Sequence, residues 1–310
     1  MIGAEIPGRL GNQMFAYAYA RKLIEARGHR DELCLGLRIM NGEDASRGFT
    51  DELHNFNVLP YAVTRKRITS VMGSPLQKLV SWLFLIDRKI EMELLDRHVH
   101  RIERKWWPLF DRVALHYSFA NEYMYRLPQQ KTVLTAGFFQ NQRYFADIRD
   151  ILLQEFSPRL PELERNKELY ETIRSTDSVC VQVRRGDYIS VAANERIFNV
   201  CDKQYFERAF QEIRKRVERP VFIFFSDDIQ WVRENIKTPE PCYYERGDDP
   251  VWETLRLMYN CKHFVISNSS FGWWAQWLCR NYKDKVVVSP SRWYKVEGPE
   301  FLIQEDFIKV

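Results

Sequence analysis

The residues best suited to chemistry stand directly after a strand pattern. Residues 179–183 place β-branched side chains at alternate positions, which is typical of a strand inside a sheet, and Arg184, Arg185, Gly186 and Asp187 follow at once. Open α/β sheets bind ligands just beyond the carboxyl ends of their strands, and a guanidinium suits forked contact with phosphate oxygens. We therefore predict an anion site here, with a diphosphate as ligand. A surface ion pair between Arg185 and Asp187 is the alternative.

A glycine-containing turn near the N-terminus is a second candidate for anion binding. It follows a short predicted strand over residues 2–6 and leads into a helix that Gly28 ends. Two glycines at a strand-to-helix turn expose backbone N–H groups at a helix N-terminus, where an anion is favoured. The polar and glycine residues of the turn are Gly8, Arg9, Gly11, Asn12 and Gln13.

Two further polar stretches also stand at predicted strand ends. One is Ser226-Asp227-Asp228, which suggests a metal site, although the stronger interpretation is that Ser226 or Asp227 caps the following helix. The other heads a predicted helix, where hydroxyl and backbone N–H groups can grip phosphate. It contains Ser267, Asn268, Ser269, Ser270, Phe271 and Gly272.

Strands and helices in regular alternation would position these stretches. After the segment 157–161, which contains two prolines, short apolar strands alternate strictly with helices. This pattern predicts a parallel sheet covered on both faces, and thus a Rossmann-like domain whose strand ends converge on one crevice. We therefore divide the chain into an N-terminal domain, 1–156, and a C-terminal domain, 157–310.

Composition narrows the class of protein. The 310 residues carry a net charge of +4, too small by itself to indicate nucleic-acid binding. The six cysteines show no CxxC and no metal-ligand spacing, which is typical of reduced cysteines in a cytosolic protein. His98 and His100 form an HxH pair without a third candidate ligand nearby, so a structural role is favoured over a metal site. We predict neither a signal peptide nor a membrane-spanning segment.

The basic segment 65–90 has an apolar centre between Leu76 and Ile86. A helix packed against the core is the favoured interpretation. A peripheral contact with a membrane is the other, because a basic amphipathic helix can lie on anionic lipid.

Five stretches of the chain resemble a known family. They look like the ordered motifs of the alpha-1,2-fucosyltransferases, glycosyltransferase family 11, and they extend from residue 8 to residue 278. Each motif alone is short, but the set in this order is specific. The stretches are GRLGNQMFAYAYA, GFFQNQRYF, VQVRRGDY, FFSDD…W and CKHFVISNSSFGWWAQWL.

The resemblance implies a GT-B architecture, an α/β fold of two Rossmann-like domains that face each other across a cleft. It also implies metal-independent transfer of L-fucose from GDP-β-L-fucose, with inversion, to the 2-hydroxyl of a terminal galactose. Related fucosyltransferases use the first arginine of this motif on the β-phosphate, which assigns that role to Arg184. The turn that holds Asn12 is similar to a stretch that faces the same diphosphate and the acceptor.

Two positions depart from the family pattern. The arginine motif usually begins with His where this chain has Gln182, and a later helix usually carries Asp where this chain has Thr254. Related enzymes use these positions to recognise guanine. Glu253, beside Thr254, is our candidate substitute, although a shift of one residue turns a helical side chain by about 100°.

The predicted site divides by role. Arg184, Asp187 and Asn12 are the candidate catalytic residues. Asp187 is one candidate for the base, Glu195 is a second, and a dissociative path without a protein base is a third. The predicted donor-binding residues are Gly8, Arg9, Gly11, Gln13, Gln182, Arg185, Asp227, Glu253, Asn268, Ser269, Ser270 and Phe271.

We expect a cytoplasmic enzyme, with peripheral contact to the inner membrane as a further hypothesis. Its substrates would be GDP-fucose and a galactose-terminated oligosaccharide or lipid-linked glycan, without metal, cofactor or nucleic acid. Two alternatives are a glycosyltransferase that uses another nucleotide sugar and a non-catalytic protein that binds a nucleotide or sugar.

Overall fold

The computed structural model describes residues 1–37, 49–94, 99–280, 283–296 and 300–310. The side chains of residues 93, 94, 99 and 100 are not part of this description. The side chains of the HxH pair therefore lie outside the described part of the chain.

The chain divides into two compact units, Met1–Phe156 and Ser157–Val310. The boundary falls at the first residue of the segment with two prolines. Each unit contains one parallel sheet with helices packed on it. In the described ranges, no helix is long and apolar enough to span a bilayer.

The N-terminal unit has a five-stranded parallel sheet of order β3-β2-β1-β5-β4. The chain first adds strands on one side of β1 and then adds β5 and β4 on the other side. The strand order therefore reverses between β1 and β5, which is the place where open α/β sheets bind ligands. The strands are β1 Ile2–Glu5, β2 Leu33–Gly36, β3 Tyr61–Thr64, β4 Leu115–Ser118 and β5 Val133–Gly137.

The helices of this unit pack a largely aromatic core. The first helix is buried along most of its length, because alanines alternate with large rings on its faces. A second cluster forms around Phe84, Phe110 and Tyr117, whose ring centroids lie 4.9 to 5.0 Å apart. The helices are α1 Leu10–Ala26, α2 Ile68–Met72, α3 Pro75–Leu94, α4 Val99–Val113 and α5 Arg149–Glu155, with 3-10 turns at Leu53–Asn55, Gln142–Tyr144 and Ala146–Ile148.

The C-terminal unit has a six-stranded parallel sheet of order β11-β10-β9-β6-β7-β8. Its strand order reverses between β6 and β9. Strand β6 is central and buried along nearly its whole length, as its run of valines predicts. The strands are β6 Asp177–Val183, β7 Pro220–Ser226, β8 Cys242–Tyr244, β9 His263–Ile266, β10 Val287–Ser289 and β11 Ile308–Lys309.

The helices of this unit cover both faces of the sheet. Asp202 caps the longest of them, since its Oδ1 accepts a hydrogen bond of 2.8 Å from the backbone N–H of Tyr205. The helices are α6 Lys167–Ser175, α7 Gly186–Ser190, α8 Ala192–Phe198, α9 Lys203–Arg214, α10 Ile229–Asn235, α11 Val251–Asn260 and α12 Ser270–Leu278, with a 3-10 turn at Glu164–Asn166.

The basic segment 65–90 differs from its prediction. It is not one helix, because it is split between α2 and α3 at Gly73 and Pro75, and proline suits the first turn of a helix. Glu195, the second candidate base, lies in α8. Two 3-10 turns precede the regular helix that begins at Arg149.

Candidate active site

The arginine motif lies at the reversal point of the C-terminal sheet. Strand β6 ends at Val183 and β9 ends at Ile266, and the two strands pair directly. Arg184 and Ser267 are the next residues of the two strands, and the backbone N–H of Arg184 donates to Ser267 Oγ over 3.2 Å. The motif thus occupies the edge at which parallel sheets bind ligands.

Two carboxylates hold the guanidinium of Arg184. Its Nη1 lies 2.6 Å from Asp227 Oδ2, and its Nη2 donates to Asp187 Oδ1. The ring of Tyr188 lies beneath it, with 5.4 Å between Cζ and the ring centroid. The side chain is only 17% exposed. Arg184 is therefore fixed in one orientation by charge-assisted bonds.

Arg185 is held separately from its neighbour. Its Nε lies 3.2 Å from Asp228 Oδ2, its backbone N–H donates to Asp227 Oδ1 over 2.9 Å, and its Cζ lies 3.4 Å from the centroid of Trp231. The ion pair of Arg185 with Asp187 that we considered is not the one formed, because Asp187 binds Arg184. The cluster contains two arginines and three aspartates, so one negative charge is not balanced within it.

Gly186 permits the close approach of Asp227 to the arginines. A Cβ added at Gly186 would clash with Asp227 Oδ2, so a larger residue would displace that carboxylate. Glycine at this position therefore leaves room for the Asp227 carboxylate beside the two arginines.

Gln182 joins the two strands at the reversal point. The backbone N–H of Ser267 donates to Gln182 Oε1 over 3.2 Å, and Ser267 Oγ donates to the Gln182 carbonyl over 2.8 Å. A Cβ added at Gly272 would lie 2.8 Å from Gln182 Oε1, so this glycine lets the amide pack against α12. The residue that departs from the family pattern thus bonds within the sheet edge.

Residues 268–271 form the start of α12 at the same edge. Ser269 caps the helix, since its Oγ accepts from the backbone N–H of Phe271 over 3.3 Å. Ser270 is the first helical residue. Asn268 points elsewhere, because its Nδ2 donates to the carbonyls of Phe198 and Trp293, each over 2.8 Å. The amide of the predicted donor-binding residue Asn268 therefore connects the end of α8 to the segment that contains Trp293.

The Ser-Asp-Asp stretch does cap a helix, but through a different residue from those expected. Asp228 is the N-cap of α10, and its Oδ1 accepts from the backbone N–H of Trp231 over 3.2 Å. Ser226 Oγ accepts from the backbone N–H of Asp228 over 3.0 Å, and Asp227 is turned to the arginines. Among the residues whose placement is described, no group of three or more His, Cys, Asp or Glu side chains is arranged to hold a metal ion.

Glu253 was our candidate substitute for the aspartate that the family carries at position 254. Its carboxylate is bonded within the unit and does not face this edge. It is fully buried, its Oε1 accepts from the backbone N–H of Leu163 over 3.0 Å, and its Oε2 accepts from Arg256 Nε over 2.9 Å. Its carboxylate also accepts from Asn166. The rotation between neighbouring helical positions turns Glu253 onto residues 163–166, which precede α6.

Glu245 is a carboxylate at the edge that the sequence reasoning missed. It directly follows β8, it is buried, and its Oε1 accepts from Thr254 Oγ1 over 3.0 Å. Burial raises the pKa of the Glu245 carboxyl. Arg184 was identified because it directly follows a strand, where open α/β sheets bind ligands. Glu245 directly follows β8 in the same way, so the sequence contained the information needed to predict it.

The N-terminal turn lies at the reversal point of the other sheet. Gly8 has φ +59°, a conformation that favours glycine, and a Cβ added there would lie 2.8 Å from Asn12 Nδ2. Gly11 is buried in α1. Arg9 is exposed, with its Cζ 5.8 Å from the ring centroid of Phe49.

Gln13 is a structural residue of this turn. It is fully buried, and its Nε2 donates to the carbonyls of Gly8 and Thr50 over 3.0 and 2.7 Å. Its Oε1 accepts from the backbone N–H of Glu52 over 3.0 Å. A side chain with all three bonds made within the protein fixes the turn and has little capacity left for a donor.

A chain of amides connects Asn12 to two other strand ends. Gln140 Nε2 donates to Asn12 Oδ1 over 2.8 Å, and the backbone N–H of Gln140 donates to Asn121 Oδ1 over 3.0 Å. Asn121 and Phe139 have φ of 60° and 51°, in a region that costs non-glycine residues energy. Gln140 and Asn121 were not predicted as site residues, although Gln140 lies within the GFFQNQRYF stretch.

Comparisons with known proteins show which sequences this chain resembles. The sequence description of Glycosyl transferase family 11 matches residues 86–308. An alpha-1,2-colitosyltransferase of Escherichia coli is 28% identical over 96% of this chain and 93% of its own length. The O-antigen biosynthesis glycosyltransferase WbnK of Escherichia coli is 26% identical over 98% of this chain and 99% of its own length.

One further relative matches about half of this chain, and one solved structure has a similar fold. The human galactoside alpha-(1,2)-fucosyltransferase 1 is 30% identical over 56% of this chain and 52% of its own length. The crystal structure of fucosyltransferase NodZ from Bradyrhizobium aligns with a TM-score of 0.51 and 12% identity over 89% of this chain and 91% of that chain. The predicted GT-B fold class is confirmed, and the chain belongs to glycosyl transferase family 11.

Proposed function

We propose that this glycosyltransferase moves L-fucose from GDP-β-L-fucose to the 2-hydroxyl of a terminal galactose, with inversion and without a metal ion. The observation that carries the proposal is Arg184, held by Asp187 and Asp227 at the reversal point of the C-terminal sheet. Family membership and the relatives named for alpha-1,2 transfer support the same conclusion.

The leaving diphosphate is the group that needs a fixed cation. Negative charge grows on it as the bond to the sugar breaks, and a preorganised guanidinium lowers the free energy of that state. The carboxylates of Asp187 and Asp227 hold Arg184 in place before substrate arrives. An incoming diphosphate would compete with them for the guanidinium, so binding would be selective for a doubly charged anion over a single carboxylate.

The start of α12 offers a second contact for the diphosphate. Backbone N–H groups at a helix N-terminus favour negative charge, and Ser269 and Ser270 add hydroxyl groups there. Arg184 is tied to the same loop through Ser267.

Asp187 serves as a positioning residue in this proposal. Its carboxylate accepts a charge-assisted bond from Arg184, so it orients the guanidinium. Glu195 is exposed on α8 and is the second candidate base. An Asp187→Asn variant that loses rate evenly at every pH fits a positioning role, whereas loss of the acidic limb of the pH–rate profile identifies Asp187 as the base.

Recognition of the base of the nucleotide would involve Glu245 in place of Glu253. A buried carboxylate at the end of β8, anchored by Thr254, can accept the two N–H groups on the pairing edge of guanine. Uracil has one such group between two carbonyls and suits a carboxylate poorly.

Colitosyl transfer is the second candidate, because a relative that spans 96% of this chain is an alpha-1,2-colitosyltransferase. Colitose is L-fucose without its 3-hydroxyl. A site that hydrogen-bonds that hydroxyl would reject the deoxy sugar by about 10⁴-fold, whereas a site that encloses it with apolar groups would discriminate by about 10²-fold or less.

One reaction panel tests the proposal. Purified protein is incubated with GDP-fucose, GDP-colitose, GDP-mannose or UDP-galactose, and with lactose, N-acetyllactosamine or a β-1,3-linked galactosyl-N-acetylhexosamine, with and without EDTA. We expect the highest kcat/KM with GDP-fucose, no effect of EDTA, and an alpha-1,2 linkage in the product. Transfer from GDP-colitose alone would replace the first candidate with the second, and nucleotide binding without transfer from any donor would overturn both.

A further inference from the structure

Helix α3 of the N-terminal unit carries apolar side chains on two opposite faces. One face packs into the core: Val80 and Phe84 are buried, and the rings of Phe84 and Phe110 of α4 are 4.9 Å apart between centroids. This is the packed helix that the sequence favoured. A helix with a second apolar face needs a second partner.

The second face is exposed and continuous. Its members recur at intervals of three and four residues, and at 100° per residue they span an arc of about 120°. Between 38% and 59% of each side chain's surface is accessible, and the largest fraction belongs to Trp82. We call this face the α3 stripe; it consists of Leu76, Leu79, Trp82, Leu83, Ile86 and Ile90.

The basic and acidic residues near the α3 stripe lie on different sides of the helix. Lys78 and Lys89 are exposed and border the stripe on one side. The acidic residues Asp87 and Glu91 are turned to α4, where Lys105 Nζ lies 2.8 and 2.9 Å from their carboxylates. Arg65, Lys66 and Arg67, which precede α2, are also exposed. The stripe is therefore bordered by exposed lysines along one side, and the acidic residues nearest to it are paired with Lys105.

We propose that the α3 stripe docks this protein onto an anionic lipid surface, with the helix lying in the plane of the interface. Apolar residues that include a tryptophan, bordered by lysines, are the composition of helices that insert about 5–10 Å into the headgroup region. Lysine stems extend along apolar surface while their ammonium groups reach the phosphates. The inference is independent of which sugar the enzyme transfers.

A second copy of the chain is the competing occupant, and the charges oppose it. In an antiparallel pair centred on the stripe, Lys78 would approach the Lys89 of the second copy. Like charges beside a helical seam are unfavourable in that arrangement, whereas anionic headgroups match them.

Vesicle flotation tests the proposal with the full chain. The vesicles contain phosphatidylcholine alone or with about one third phosphatidylglycerol, because the surface potential attracts each basic residue by about 1 kcal/mol. We expect flotation with the anionic vesicles. A Lys78→Gln/Lys89→Gln variant should bind about 20- to 30-fold more weakly, and only the anionic vesicles should show this difference.

The apolar part of the proposal needs its own variant and control. Trp82→Ser combined with Leu83→Ser should reduce binding by more than tenfold, since each exposed side chain would have buried apolar surface in lipid. Both positions are exposed, so the fold and the rate with a soluble acceptor should be unchanged. Leu160→Ser, at an exposed leucine of the C-terminal unit, should bind like the parent.

Three results would overturn the inference. They are absence of flotation with anionic vesicles, flotation that the Trp82/Leu83 variant leaves unchanged, and a concentration-dependent dimer that this variant dissolves without any lipid binding. The last would assign the α3 stripe to a second copy of the chain.

Discussion

The carboxyl edges of the two sheets are both reversal points in strand order, yet they present opposite kinds of polar groups. At the C-terminal edge, Arg184 and Arg185 are held by aspartates in a network of ion pairs. At the N-terminal edge, Asn12, Gln140 and Asn121 form a chain of neutral amides. The same fold thus builds a network of ion pairs in one unit, called the charged edge, and a chain of amides in the other, called the uncharged edge, with Arg9 exposed beside it.

The difference matches two kinds of ligand. A diphosphate is recognised by fixed cations, and their interaction strengthens as charge moves onto the leaving group. The hydroxyl groups of a sugar are recognised by donors and acceptors without net charge, and such bonds contribute less each. The comparison therefore predicts that a change at the C-terminal edge reduces rate strongly, and that a change at the N-terminal edge reduces it moderately.

The largest effect is expected from Arg184→Ala. Loss of one preorganised donor to a developing anion lowers kcat by about 10²- to 10³-fold, so kcat/KM with the nucleotide-sugar donor should fall by that factor. Arg184→Lys should recover only part of the rate, because an ammonium cannot bond two carboxylates and a phosphate in a forked geometry. Steady-state kinetics measures both variants.

The control for this variant is Arg214→Ala. Arg214 forms an ion pair with Glu240 on the surface of the same unit, with 2.6 Å between Nε and Oε1. Surface pairs contribute about 0–1 kcal/mol, so this variant should keep its rate. Near-parental turnover of Arg184→Ala would contradict the assignment of the charged edge to the diphosphate.

The charged edge was the part of the site that the sequence predicted best, because its residues are local. Arg184, Asp187 and Asp227 each stand within a few residues of a strand end, and the apolar pattern of β6 and β7 located those ends. The uncharged edge was harder to predict, because Asn12 and Gln140 meet across 128 residues of chain. Periodicity places a residue on an element but does not identify its partner across a sheet.

Packing between distant residues also determines which side chains of a helix are buried, which the sequence alone does not show. Glu253 and Thr254 are neighbours on one helix, and contacts with residues 163–166 determine which of them turns inward. The pattern of α3 showed apolar residues around the helix, but only its contact with α4 separates the buried face from the exposed one. Both outcomes depend on residues distant in the chain.

The next largest effect is expected from Gly186→Ala, which tests whether Asp227 must approach the arginines. The added methyl group would displace the Asp227 carboxylate, so the free energy of unfolding should fall by about 1 kcal/mol, the contribution of one hydrogen bond. Loss of the charge-assisted bonds to Arg184 should lower kcat/KM about tenfold. Denaturant unfolding and kinetics measure the two changes.

Gly28→Ala is the matched control. Gly28 has φ +78° and open space around its Cβ position, so alanine strains the backbone by about 1–2 kcal/mol without touching either edge. This variant should be less stable at an unchanged rate per folded molecule. If Gly186→Ala keeps its rate in the same way, the ion-pair cradle does not position Arg184 for catalysis.

A smaller effect concerns Glu103, a carboxylate that supports the uncharged edge. Glu103 accepts hydrogen bonds from the backbone N–H groups of Phe119 and Ala120, over 2.6 and 3.2 Å, immediately before Asn121. Burial raises the pKa of Glu103 from 4.5 to about 7. The folded state therefore retains a proton that the unfolded state releases above pH 4.5.

Stability should consequently fall as pH rises from about 4.5 to about 7 and then level off. The loss is on the order of 1–3 kcal/mol for a shift of this size. Glu103→Gln should remove this component from thermal unfolding curves recorded between these pH values. Glu207→Gln, at an exposed glutamate, should retain it. An unchanged pH dependence in Glu103→Gln would show that the buried carboxyl does not titrate in this range.

The smallest effect is expected from Gln140→Ala, which breaks the amide chain without changing any charge. Neutral hydrogen bonds contribute about 0.5–1.5 kcal/mol each, so kcat/KM for the acceptor should fall about two- to tenfold while KM for the donor stays constant. Gln129→Ala is the control, because Gln129 is exposed and donates to the carbonyl of Leu127 over 3.3 Å, away from the amide chain. A loss of kcat/KM as large as that of Arg184→Ala would contradict the assignment of the diphosphate to the charged edge and of the acceptor to the uncharged edge. A rise in KM for the donor alone would assign Asn12 to the diphosphate as well.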